Sequence, residues 1–172
     1  KPARVYRKEA AVQLKASTDY GLRAVLYLAA QGQTCSSKDI AQDMSIPRDY
    51  LIQLAQLLRN AGIIEARPGK HGGYRLAKEP SKITLLQVVN ALDDDAKDTT
   101  RARRKDRAGA PTVQGIKRAY DLVLDGYDAY FDSITLEMLL DCSRDEKMGK
   151  EFLAGRLIAE SQRLLAEAAA AA

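Results

Sequence analysis

The chain has little of what metal centres and catalytic triads are made from: one histidine and two cysteines in 172 residues. A single histidine, His71, cannot build a multi-histidine metal site, and it argues against a Ser-His-Asp arrangement. Cys35 and Cys142 lie far apart and form no CxxC. That excludes a disulfide framework and points to a reducing, cytoplasmic setting. Long apolar runs are also missing, so no segment is expected to span a bilayer and no membrane partner is expected. The basic N-terminus lacks the apolar stretch of a signal peptide. The run Pro68-Gly69-Lys70-His71-Gly72 is not a phosphate loop. It lacks the Ser or Thr after Gly-Lys, and the strand and helix that such a loop joins. Asp93, Asp94 and Asp95 are consecutive, so their carboxylates point apart and read as a solvated acidic run rather than a metal cluster. The chain is therefore not expected to be an enzyme.

What is present is an uneven charge. Residues 1–80 hold 13 Lys/Arg against 7 Asp/Glu, whereas residues 81–172 hold 14 against 16. Excess positive charge in one half suits a nucleic-acid partner, because phosphate contacts supply most non-specific affinity. A solvated basic surface is the plain alternative.

The same half carries a pattern. Ser17 or Thr18 is positioned to cap a first helix, whose inner face repeats as Leu22, Val25, Leu26 and Ala29. Ser36 can cap a second helix, with Asp39 as capping-box partner and Ile40, Ala41 and Met44 inward. Ser45-Ile46 makes a turn. A third helix from about Pro47 to Asn60 buries Leu51, Leu54, Ala55 and Leu58. Its opposite stripe holds Arg48, Asp49, Ile52, Gln53, Gln56 and Arg59. Gly62 stops it. Ile63–Ala66 and Tyr74–Ala77 read as short strands joined by a glycine-rich tip. Thr84 caps a fourth helix with Leu85, Val88, Val89 and Leu92 inward. Helix, tight turn, helix and basic ribbon together predict a winged helix-turn-helix reading DNA.

The rest reads as an accessory helical part. Residues 93–112 are charged and nearly free of apolar residues, which predicts a mobile linker. Beyond it Ile116, Tyr120, Val123, Tyr127, Tyr130 and Ile134 step by 4, 3, 4, 3 and 4, the seam of a coiled coil. A second copy of the same helix is the economical cover for that seam, giving a two-fold dimer. Packing onto the chain's own core is the alternative. Thr135 can cap a short helix through Leu140. Ser143 with Glu146 forms a capping box for a last helix carrying Leu153, Leu157 and Leu164 on one face. The expected fold class is mainly α with a small β-wing. The expected divisions are an N-terminal arm or expression remnant (1–12), a winged helix-turn-helix domain (13–92), the linker (93–112), a dimerisation helix region (113–140) and a C-terminal helical extension (141–172). The Ala166–Ala172 tail is low in complexity.

Several runs, taken in order, are similar to a known family: Thr18-Asp19-Tyr20-Gly21-Leu22-Arg23-Ala24, Ile40-Ala41, Tyr50-Leu51, Leu57-Leu58-Arg59-Asn60-Ala61-Gly62 and Gly72-Gly73-Tyr74-Arg75-Leu76-Ala77. With Ile83–Val89 and Asp132–Leu136 they resemble the Rrf-two (Rrf2) family, the IscR/NsrR/CymR-like bacterial winged-helix regulators. The resemblance implies a homodimeric DNA-binding transcription factor, a repressor in most members. It places Gln53 at a base-reading position, where its amide can pair with adenine. It places Ile52 where a relative carries glutamate, so that an apolar side chain could touch a thymine methyl instead. It sets Arg67 near a minor-groove arginine, and Lys70 and His71 at wing-tip positions that are often Pro or Gly. The candidate DNA-binding residues are Ser37, Lys38, Arg48, Tyr50, Ile52, Gln53, Gln56, Arg59, Arg67, Lys70 and His71. Cluster-binding relatives carry three cysteines between the fourth helix and the dimer helix. Residues 92–112 here contain none. Thiolates hold most iron–sulfur clusters, so no cofactor is expected. The alternatives are a winged-helix protein-interaction module, or a sensor using a non-standard cluster or a redox-active cysteine.

Overall fold

A computed structural model describes residues 14–69, 72–93 and 111–170. The expected N-terminal arm, most of the charged linker, and Lys70 and His71 lie outside the described residues. The elements are α1 (Ala16–Gln31), α2 (Ser37–Asp43), α3 (Arg48–Asn60), β1 (Ile64–Arg67), β2 (Gly73–Leu76), a 3-10 turn (Pro80–Lys82), α4 (Leu85–Leu92), α5 (Pro111–Asp132), α6 (Leu136–Arg144) and α7 (Glu146–Ala170). The mainly helical fold class with one two-stranded antiparallel ribbon is as the sequence predicts.

Local signals set most of the boundaries. The Ser36 side chain accepts a hydrogen bond from Asp39 N–H, Thr84 from Gln87 N–H and Thr135 from Met138 N–H. Each satisfies a backbone donor that a helix start leaves open. Gly62, one residue past the Ala61 cap of α3, has φ 68°, a left-handed conformation that glycine adopts at no steric cost. Both strands begin and end within one residue of the predicted runs, paired Ile64 to Leu76 through Arg67 to Gly73.

Other expectations are corrected. Neither Ser17 nor Thr18 caps α1; the helix starts earlier, after Lys15, with no side-chain cap. Thr18 is instead buried on the helix. The Lys15 ammonium pairs with Asp93 at 2.8 Å, tying the start of α1 to the end of α4. The face of α1 that is most deeply buried is Ala24, Val25 and Leu28, with Leu22 and Leu26 only partly covered. The helix is central and packs against α3, α4, α6 and β2, so it is covered on more than one side. Ser143 lies inside α6 and donates back to the Leu140 carbonyl. Asp145, not Ser143, accepts the open Lys147 N–H at the start of α7. On α7, Leu153 and Leu164 are half-buried but Leu157 is exposed.

The long helix is corrected too. It ends at Asp132, and Ile134, expected as the last residue of its seam, is buried in the chain's own fold. The Ile134 carbonyl accepts Leu85 N–H at 2.7 Å and the Ile83 carbonyl accepts Leu136 N–H at 3.0 Å. Thr84 Oγ1 donates to Asp132 at 2.9 Å. These bonds clamp the C-terminal end of α5 to the start of α4.

The core lies among α1, α2, α3, α4, the wing and the start of α6. Val25, Ile40, Leu51, Leu54, Leu58, Ile83, Val88 and Leu136 are among its most deeply buried large side chains. Fully burying such an aliphatic side chain stabilises the fold by about 1.5–3 kcal/mol. Among the described residues, no helix is long and apolar enough to cross a membrane.

Candidate nucleic-acid interface

The turn between α2 and α3 is tight because Ser45 takes a left-handed conformation, φ 55°. Ile46 then drops into the core, its N–H donating to the Ala41 carbonyl at 2.9 Å. α3 is anchored by Leu51, Leu54, Ala55 and Leu58, as its apolar spacing predicts. That fixes which residues face out: Arg48, Asp49, Ile52, Gln53, Gln56, Arg59 and Asn60 are all exposed.

The stripe has two differently held edges. On the α2 side, the Arg48 guanidinium donates to Ser37 Oγ, through Nε and Nη2, both at 3.4 Å. This brings two expected site residues from different helices together. On the other edge Gln53 borders a cleft of about 270 Å³ shared with Lys15, Tyr50 and Asp93. Along the middle, Arg59 donates to Gln56 at 2.8 Å and Gln56 donates to Asn60 at 3.2 Å. Asn60 is a member of this network that the sequence reading left out; its position four residues after Gln56 was the available signal. Ile52 is 44% exposed, the one large apolar side chain on the stripe.

Tyr50 stands apart from the stripe. It packs partly buried against the core, and its ring meets Tyr20 edge-on at 5.9 Å. Lys38 is exposed on α2. In the wing, Arg67 is exposed at the end of β1, and Glu65 and Arg75 pair across the strands. Lys70 and His71 are outside the described residues.

A third strand-like contact holds the wing, and the sequence reading missed it. Cys35 pairs with Tyr74 as an isolated antiparallel bridge, N–H to carbonyl in both directions at 2.9 and 2.8 Å. Gly73 permits this, because a Cβ there would run into the Cys35 carbonyl. A one-residue bridge has no periodicity to read.

The cysteines are placed for packing. Cys35 is buried in the core, and burial first, then Asp39 and Asp43, pushes its thiol up, away from the thiolate. Cys142 is half-buried on α6, its Sγ 3.8 Å from the Gly149 carbonyl. Among the described residues no group of three or more His, Cys, Asp or Glu could hold a metal ion.

An amphipathic helix pair with a tight turn, followed by a ribbon, is a winged helix-turn-helix. The Rrf2 family model, described as "Iron-dependent Transcriptional regulator", matches residues 14–142, and the chain belongs to that family. Its members are transcriptional regulators, not enzymes. The chain is 31% identical over 131 residues to the HTH-type transcriptional regulator NsrR of Bacillus subtilis (strain 168), covering 74% of this chain and 90% of that protein. It is 40% identical over 86 residues to the protein of the same name from Shouchella clausii (strain KSM-K16), covering 49% and 58%. Among solved structures, T. potens IscR matches with TM-score 0.62 at 25% identity, covering 77% of this chain and 89% of that one. CymR, the global cysteine regulator of B. subtilis, matches with TM-score 0.51 at 28% identity, covering 76% and 97%. The two cysteines of this chain do not fit a three-cysteine iron site. Two thiols on separate elements cannot supply three thiolates.

Proposed function

We propose that the chain is a homodimeric, sequence-specific DNA-binding repressor. The single observation that carries this is the outward stripe of α3, rigidly anchored by four buried side chains and filled with Arg48, Gln53, Gln56 and Arg59. Such a helix suits the major groove, with the wing beside it over the minor groove. Ser37, Lys38, Arg48 and Arg59 would meet phosphates and fix the register. Gln53 would read a base edge, since an amide can pair in two directions with adenine N6 and N7. Ile52 would touch a thymine methyl. Arg67, with Lys70 and His71, would serve the wing.

The homodimer reading rests on α5. Its stripe of Ile116, Tyr120, Val123 and Tyr127 is left exposed by the described residues, and a second copy would cover it. Two reading heads would then meet two half-sites of an inverted repeat. The regulator would work without the three-cysteine cluster, since residues 92–112 hold no cysteine. A cytoplasmic setting follows from the role.

In vitro selection of bound DNA tests this directly. The expected result is a pseudo-palindrome whose half-sites are separated by about one helical turn, with binding that falls steeply with salt. Recovery of no enriched sequence at any salt concentration would overturn the reading. Anaerobically purified protein should be colourless and free of iron.

A further inference from the structure

Large apolar side chains left bare are not scattered over this protein. Of the eleven exposed ones among the described residues, five lie on α5 and four on α7. Monomers seldom expose contiguous apolar surface on this scale without a use for it. α7 lies beyond residue 142, where the family match ends. The two helices are neighbours in space. Tyr130 Oη donates to the Leu153 carbonyl at 3.2 Å, and Gly126 faces the Leu164 side chain. The later α5 residue therefore meets the earlier α7 residue, so the helices run in opposite senses.

That direction fixes where the bare residues point. Viewed from N to C, successive helical residues turn by about 100°. On α5, the stripe of Ile116, Tyr120, Val123 and Tyr127 sits about 70° round from the side that faces α7. On α7, Leu157, Ile158 and Leu165 sit about 90° round, in the same rotational sense, from the side that faces α5. Equal senses on antiparallel helices bring both stripes to one side of the pair. Leu122 and Phe152 fall on the other side.

Area then decides whether α5 suffices. The four stripe residues of α5 are 44–69% exposed. Aromatic side chains of this kind bury roughly 150–250 Å² each and aliphatic ones less, so α5 leaves on the order of 400 Å² bare. A standard interface takes about 800 Å² from each partner. Leu157, Ile158 and Leu165 are 51–70% exposed on α7. With them the bare apolar surface reaches roughly 700 Å², close to what a stable dimer needs.

We infer that α7 is part of the dimer interface: the second copy of this chain seats on the shared face of α5 and α7, burying Leu157, Ile158 and Leu165. This rests on the homodimer reading above and deepens it. The two-fold makes the contact isologous, so each copy presents and receives the same face.

Sedimentation equilibrium on the full chain tests it, comparing the parent with Leu157→Ser/Ile158→Ser/Leu165→Ser and with Leu122→Ser. The triple variant should raise the dimer dissociation constant at least 30-fold while keeping its helical circular dichroism. Leu122→Ser should stay within threefold of the parent. A dimeric parent whose triple variant associates equally tightly overturns the role of α7 and leaves the homodimer standing. A parent that stays monomeric at micromolar concentration overturns both. Loss of affinity in Leu122→Ser as large as in the triple variant overturns the one-face geometry. Should the triple variant not fold, Leu165→Asp is read instead; a tenfold loss supports the inference and an unchanged constant overturns it.

Discussion

Residues 16–92 and residues 111–170 are both mainly helical, yet they are finished to different degrees. Nearly every fully buried side chain lies in the first region, and among the described residues of α5 none is fully buried. The reading head closes its core on α1, α2, α3, α4 and the wing, with Leu136 from the start of α6 completing it. Helices α5 and α7 bury part of their surface on each other and on α4 and α6, and leave apolar stripes bare. A helix whose inner face is fully anchored can leave a mostly polar face outward, as α3 does with Ile52 as the one large apolar exception. In the homodimer proposed above, a helix with an apolar face left over is half of an interface. Fold stability and assembly are thus separable in this protein, and substitutions can address one without the other.

The strongest way to break that contrast is to truncate the core. Leu58→Ala should cost about 2–5 kcal/mol in denaturant unfolding, because the cavity it leaves among Leu54 and its neighbours cannot collapse fully. A cost below about 1 kcal/mol would mean the head is less finished than its burial implies. Val123→Glu places a charge in the bare stripe. It should weaken dimerisation at least tenfold with helical content unchanged, because the partner would bury the carboxylate unpaired. Gln53→Ala should cost about 1–3 kcal/mol at one base pair and relax preference there, read by competition with single-base operator variants. A uniform loss across all variants would instead make Gln53 a phosphate contact.

Smaller effects sharpen the picture of the head. Ser36→Ala removes the cap of α2 and should lower stability by about 1 kcal/mol. The smallest concerns Tyr27, whose hydroxyl donates to Asp43 at 2.8 Å across the α1–α2 junction. That bond, with burial second, pushes the phenol from 10.0 up to about 12. The folded state therefore holds the proton more tightly than the unfolded one. Its contribution is fully present below pH 10 and is lost as pH rises through about 12. Tyr27→Phe should flatten the alkaline limb of a stability–pH profile, with a loss at neutral pH, where the bond is fully present, smaller than that of Ser36→Ala.

Much of the head was legible because its signals are local. The Ser36, Thr84 and Thr135 caps, the Gly62 stop, and the Leu51, Leu54 and Leu58 spacing each act within one turn of helix. The readings that fail depend on partners distant in sequence. Thr18 looks like a cap until packing buries it. Ile134 fits the seam by spacing, but backbone bonds to α4 pull it into the core. Cys35 gives no strand signal because its bridge to Tyr74 is one residue long. The Ser143 capping box competes with α6 itself, which continues through Ser143 and leaves the task to Asp145.

The amino-acid sequence alone determined the helix order, the outward residues of α3, the caps and the lack of thiols for a three-cysteine cluster, because these follow from spacing and side-chain chemistry. The tertiary structure decided which side of α1 is buried, where the α5 seam stops, and that α5 and α7 share one bare face. Those depend on how helices far apart in the chain meet, and no local pattern encodes the angle at which they do.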